Sequence, residues 1–181
     1  MHWRKAAVAA VNRPTFEALY RAQFSAVWNW LRRMGVPREA RPDAAQETFE
    51  IALRRWEHID PARPPLPWLL GIAFRVVVAQ RRKLDARAEF VDEVLESLEG
   101  GQDLERQVFN RQAREWVWKS LQTLNLEQRA VFSMCELEGL PVPEVAESLE
   151  IPLNTAYSRL RLAREKIEQW LTLNVTAGDT L

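Results

Sequence analysis

Apolar side chains recur at intervals of three and four residues along most of this 181-residue chain, and that period favours one fold class. Phe16, Leu19, Tyr20, Phe24, Val27, Leu31 and Met34 form one stripe. Ala45, Phe49, Ala52 and Trp56 form another, and Ala156, Leu160, Ala163 and Ile167 a third. Residues three and four apart share one side of a helix, so each stripe reads as a buried helix face. No useful length of chain alternates apolar and polar residues as a half-buried strand would. Six glycines are few for an all-β chain rich in tight turns, and 47% hydrophobic residues is enough for packed cores. The predicted fold class is all-α.

The punctuation divides the helices. Pro14 suits the first turn of the first helix and Gly35 its stop. A second helix is expected from Asp43 to Trp56. Pro61, Pro64, Pro65 and Pro67 then form a loop that cannot continue it, and a third helix starts near Pro67 and runs to about Asp85. Leu104, Val108, Trp116, Val117 and Leu121 mark a later helix. Short helices follow at Glu127–Leu137 and Pro143–Leu149, and a last one at Asn154–Trp170.

The 25 basic and 25 acidic residues cancel, which by itself argues against a nucleic-acid binder, but the sum hides three unlike pieces. Residues 1–90 carry a basic excess and residues 111–181 are close to balanced. Between them, Asp92, Glu93, Glu96, Glu99, Asp103 and Glu105 face a single base, Arg106, around the one Gly-Gly pair. That segment reads as a linker between two small helical domains; an acidic surface helix, Glu89 to Glu99, is the alternative. The expected organisation is an N-terminal extension at 1–13, a first domain at 14–88, an acidic linker at 89–110, a second domain at 111–172 and a tail at 173–181. If the basic faces meet DNA, the acidic segment is expected either to repel it or to shield those faces, so that binding by the protein alone is weak.

One cysteine and two histidines leave no material for a disulfide framework or a Cys-rich zinc site, and no metal or other cofactor is expected. No run of about 18 apolar residues is present and the N-terminus lacks a signal-peptide core, so a cytoplasmic protein without membrane insertion is expected.

The C-terminal pair of helices carries a recognisable division of labour. Val145, Ala146 and Leu149 line one side of the first, Ile151 plugs the corner, and the small Ala146 suits two helices crossing closely over a short turn. Ala156, Leu160, Ala163 and Ile167 are the buried stripe of the second. Its other face bears Asn154, Thr155, Tyr157, Ser158, Arg159, Arg161 and Arg164, whose hydroxyl, amide and guanidinium groups suit base edges and phosphates. This is the pattern of a helix-turn-helix; an ordinary hairpin with a solvated polar face is the plain alternative.

On the second helix of the first domain, Asp43, Gln46, Glu47 and Glu50 fall at i, i+3, i+4 and i+7, away from Phe49 and Trp56. An acidic, amide-rich face suits docking on a basic protein surface, although a merely solvated face is the usual meaning of such a stripe. The third helix ends in Arg81, Arg82 and Lys83, with Arg75 nearer its middle. These cations suit DNA phosphates, and equally the helix dipole.

Two stretches together resemble the extracytoplasmic-function sigma factors of the sigma-70 family. Asp43-Ala44-Ala45-Gln46-Glu47-Thr48-Phe49 is similar to the family's D-x-x-Q-E-[TV]-F signature, and Pro67-Trp68-Leu69-Leu70-Gly71-Ile72-Ala73 to its W-L-x-x-I-A element. Leu121, Leu124, Glu127-Gln128-Arg129, Gly139, Glu144-Val145-Ala146, Thr155, Ser158-Arg159-Leu160 and Ala163-Arg164 resemble its C-terminal domain, in the family's order. The chain departs from the family at Phe74-Arg75, Ala79, Glu150, Asn154, Ala156 and Leu162, Glu150 standing where a turn glycine is usual. The resemblance implies a sigma domain 2 at 14–88 that binds core RNA polymerase through Asp43, Gln46, Glu47, Phe49 and Glu50. It implies contact with opened upstream-element DNA through Arg75, Arg81, Arg82 and Lys83, with the loop His58 to Pro67 holding a flipped base. It further implies a sigma domain 4 whose helix reads a more distant promoter element, an anti-sigma partner, and no catalysis.

Alternatives from other classes are a sigma-like interaction module that only titrates an anti-sigma factor, and a response regulator. The latter needs an α/β receiver that residues 1–110 do not encode. Of the eight tryptophans, Trp28, Trp56, Trp68 and Trp116 fit core positions, while Trp30 and Trp118 are expected to face a partner or the other domain. Cys135 has the apolar setting of an inert thiol, and His58 of a surface residue.

Overall fold

The computed structural model describes residues 14–86 and 115–178, and among these the chain is all-α. The extension at 1–13 and the acidic segment at 89–110 lie outside the described residues. Helices α1 (Phe16–Arg33), α2 (Arg41–Arg55) and α3 (Pro65–Ala86) form a first bundle. Helix α4 (115–122), α5 (Leu126–Phe132), α6 (Val142–Ser148) and α7 (Leu153–Gly178) form a second.

The ends follow local chemistry. Thr15, one residue after Pro14, caps α1 by accepting a hydrogen bond from the Ala18 amide at 3.2 Å. Gly35 at φ 79° closes the same helix. Its amide donates to the Arg32 carbonyl at 2.9 Å, and the Val36 amide donates to the Leu31 carbonyl at 3.1 Å. Helix α3 begins at Pro65 rather than Pro67. Both prolines fall in the first turn, where backbone N–H groups have no intrahelical acceptor, so neither breaks it. Helix α2 begins two residues before Asp43, at Arg41. This arginine is buried, donates to the Val36 carbonyl at 3.3 and 3.0 Å and lies over the Trp28 ring at 5.5 Å.

The first core packs Val27, Trp30 and Leu31 of α1 against Ala44, Phe49 and Ala52 of α2 and Leu69, Leu70, Ile72 and Val76 of α3. Trp30 is fully buried there, which corrects the expectation of an interfacial indole. Its neighbour Trp28 is the half-buried one.

In the second bundle Asn125 caps α5 by accepting from the Gln128 amide at 2.9 Å. The expected helix 127–137 is α only to Phe132 and continues as a π-helical turn, Ser133–Leu137. Helix α7 runs on past Trp170 to Gly178, so residues 173–178 are helical and not a separate tail. Ala156, Leu160 and Ala163 are buried. Leu160 joins Val145 and Leu149 in the main core, and Ala163 packs with Leu121 and Leu124 in a second cluster. Glu150 takes the left-handed conformation, φ 56°. Its amide donates to the Glu147 carbonyl at 3.2 Å and the Ile151 amide to the Ala146 carbonyl at 3.0 Å. The α6–α7 turn is thus the same glycine-type cap that closes α1, built here without glycine.

The bundles are packed on one another. Val131, Met134, Val145 and Leu149 share one core with residues of α1–α3, and α3 lies against α6.

Candidate functional site

Three surfaces hold the residues singled out from the sequence. On α2, Asp43, Gln46, Glu47 and Glu50 are all exposed, as the i, i+3, i+4, i+7 spacing requires. Gln46 Nε2 donates to Glu50 Oε1 at 2.8 Å, and Glu50 pairs with Arg54 at 3.5 Å. Phe49 does not share their exposure: it is 4% exposed, with Tyr20 edge-on at 4.7 Å between ring centroids and Phe24 stacked at 6.2 Å. It forms the floor of an open groove of about 430 Å³ between α1 and α2, whose walls include Phe16, Tyr20, Trp28 and Leu53 and whose rim carries Gln46 and Glu50. Leu53 is 55% exposed, and the sequence stripe, which scored only periodic burial, left it out.

The second surface is on α7. Asn154, Tyr157, Ser158, Arg161 and Arg164 are exposed and Thr155 and Arg159 are half-buried, while on the opposite stripe Ala156, Leu160 and Ala163 are buried and Ile167 is half-buried. Arg164 Nε donates to Glu136 Oε1 of the π-helical turn at 2.9 Å, and Arg161 pairs with Glu165 one turn on. Two of the cations are therefore held by single, exposed carboxylates that phosphates can replace.

The third group is divided. Arg82 and Lys83 at the end of α3 are exposed, whereas Arg81 Nη2 donates to the Met34 carbonyl at 2.9 Å and ties α3 to the end of α1. Arg75 faces α6. Its Nη1 donates to the Ser148 carbonyl at 3.3 Å and lies 3.4 Å from Glu150 Oε1, and burial pushes its guanidinium below its ordinary value against the opposing pull of that carboxylate.

The same seam holds residues that reading the sequence missed. Arg63, in the loop before α3, grips Glu147 of α6 through two hydrogen bonds of 2.8 and 2.5 Å. That bond raises the Arg63 guanidinium above its ordinary value; burial opposes it, and the charges of Glu147, Glu144 and Asp60 add to it. Arg33 of α1 pairs with Glu138. Partners 84 and 105 residues apart leave no local sequence signal.

Cys135 lies in the π-helical turn, half-buried. Burial, helped by Glu136 and opposed by Arg164, pushes its thiol up to about 11. Among the described residues no helix is long and apolar enough to cross a membrane.

This architecture agrees with comparison to known proteins. The family model of Sigma-70 region 2 matches residues 19–87 and that of Sigma-70, region 4, residues 114–167, which together span more than half of the chain. The ECF RNA polymerase sigma factor SigL of Mycobacterium tuberculosis is 28% identical over 88% of this chain and 90% of its own. The ECF RNA polymerase sigma-E factor of Escherichia coli is 29% identical over 74% of each. Among solved structures, the Bartonella quintana sigma factor RpoE, in complex with the anti-sigma factor NepR, superposes with a TM-score of 0.70 at 19% identity, covering 87% of this chain and 96% of that one. CnrH, in complex with the cytosolic domain of CnrY, gives 0.61 at 23% identity over 87% and 88%. The chain belongs to the sigma-70 family, as one of its ECF sigma factors: non-enzymatic proteins that direct transcription initiation with RNA polymerase.

Proposed function

We propose that the exposed α2 face (Asp43, Gln46, Glu47 and Glu50) docks on core RNA polymerase, with Phe49 contributing as the buried floor that sets the face. Arg82 and Lys83, with Arg75 and Arg81 once they leave their present partners, track opened DNA of the upstream promoter element. The exposed half of α7, Asn154 to Arg164, enters the major groove of the more distant element, with Thr155, Tyr157, Ser158, Arg159, Arg161 and Arg164 making its contacts. The observation that supports this reading is the two-sided α7: five polar or cationic side chains in solvent against a stripe in which Ala156, Leu160 and Ala163 are buried.

In this reading the first domain spans 14–88, the second 111–172 with α7 extending past it, and the acidic stretch 89–110 is the linker that lets them separate along the promoter. The protein works in the cytoplasm. The neighbours crystallised with NepR and CnrY motivate an anti-sigma factor as a further partner, and the apolar groove between α1 and α2 is a surface it could cover.

Two substitutions separate the roles. Glu47→Lys should abolish co-purification with core polymerase and leave binding to distant-element duplex unchanged. Arg161→Ala should do the reverse, weakening the duplex by about 1–3 kcal/mol. Equal loss of both activities in either variant contradicts the assignment.

A further inference from the structure

The seam between the bundles is electrostatically one-sided. Two arginines of the first bundle reach across it, Arg63 from the loop before α3 and Arg75 from α3, while the charge of Arg55 at the end of α2 works against that of Arg75. Opposite them α6 and its cap present glutamates three residues apart, Glu144, Glu147 and Glu150, with the Ser148 carbonyl between. Glu147 takes Arg63 in a two-pronged grip, Glu150 and the Ser148 carbonyl take Arg75, and Glu144 adds its charge to the field at Arg63. Such a row of oxygens offers a guanidinium what a nucleic-acid backbone offers: paired anionic oxygens, at short intervals, that accept two N–H bonds at once. The Arg63–Glu147 pair is about one-third exposed on both sides, so the grip is open to exchange.

We infer that Arg63 and Arg75 form a phosphate-binding site for single-stranded DNA, and that the Glu144–Glu147–Glu150 row of α6 occupies it whenever the two bundles are docked. The inference deepens the sigma-factor reading and rests on it. Docking and strand binding then exclude each other, because the same guanidinium hydrogen bonds serve both. The α7 face stays in solvent in the docked form, so occlusion falls on the melted-strand side alone.

The test uses the free full-length chain, a fluorescein-labelled 20-nucleotide single strand of mixed sequence at low salt, and hydrodynamic radius as the measure of docking. Glu144→Gln with Glu147→Gln should raise the radius and tighten strand binding about two- to fivefold, the range for freeing an ion pair of this exposure. Adding Arg63→Ala should erase that gain. Glu17→Gln with Glu168→Gln removes as much negative charge far from the seam and should give no comparable gain. Exchanging the pair, Arg63→Glu with Glu147→Arg, should keep the wild-type radius and bind the strand no better than wild type. The inference is overturned if the Glu144/Glu147 variant binds no tighter, if Arg63→Ala leaves its gain intact, if the remote charge variant gains as much, or if the exchanged pair binds tighter than wild type. Core-polymerase co-purification of the same samples separates the two levels: its loss in the wild type overturns the sigma reading itself, whereas its retention with any failure above overturns only the inference.

Discussion

Gly71 of α3 and Ser148 of α6 approach so closely that a Cβ on the glycine would lie 2.3 Å from the Ser148 carbonyl oxygen and 3.0 Å from its carbon. Both obstacles are backbone, so no rotamer change relieves them. Gly71→Ala therefore pits two effects against each other. Alanine improves α3 as a helix by about 1 kcal/mol, and it forbids the observed contact with α6. The expected outcome is undiminished helical circular dichroism with an enlarged hydrodynamic radius; an unchanged radius contradicts the packing described.

Glu150→Gly addresses the α6–α7 turn. A non-glycine residue at φ 56° costs about 1 kcal/mol, against which stands a 3.4 Å ion pair with Arg75 between half-exposed groups. Thermal unfolding should show a small net gain, no more than about 0.5 kcal/mol once the ion pair and the freedom that glycine adds to the unfolded chain are taken off. A loss of stability would mean that the ion pair outweighs the backbone strain.

Phe49 and Gln46 share a helix but not a role. Phe49→Ala should destabilise by about 3–5 kcal/mol, because it empties the floor beneath Tyr20 and Phe24. Gln46→Ala should change stability by no more than about 0.5 kcal/mol and yet weaken core-polymerase binding. Chemical denaturation alongside co-purification with core polymerase checks the split; a stable Phe49→Ala protein that fails to bind would put the ring in the contact surface instead.

These contrasts show what the sequence could and could not reveal. Helical spacing identified α1, α2, α3 and the α7 stripe because burial on one face leaves a period in the chain. The family resemblance put Glu150 where a turn glycine is usual, and the left-handed conformation found there is the one such a position requires. Trp30 was misplaced because two tryptophans two residues apart on one helix, Trp28 and Trp30, give no local clue to which is the more buried. The π-helical turn at Ser133–Leu137 has no sequence period of its own. The seam was invisible for a different reason: Arg63–Glu147 and Arg33–Glu138 are made by folding, between residues that are unremarkable charges on their own segments.

Cys135 should behave as a quiet thiol. Its raised value means that the thiolate fraction grows with pH through the range where an ordinary cysteine has already finished ionising. Alkylation of the native protein by iodoacetamide should keep rising about tenfold per pH unit from pH ~8 to ~10. A plateau near pH ~9 contradicts the burial that causes the shift.

The central claim is promoter-directed initiation, and run-off transcription on a genomic fragment library tests it most directly. Wild-type protein added to core polymerase should yield discrete transcripts absent with core alone, and Arg161→Ala should lose them while still binding core. Stable core binding by the wild type with no promoter-specific transcript would contradict the account and leave a protein that binds the machinery without directing it.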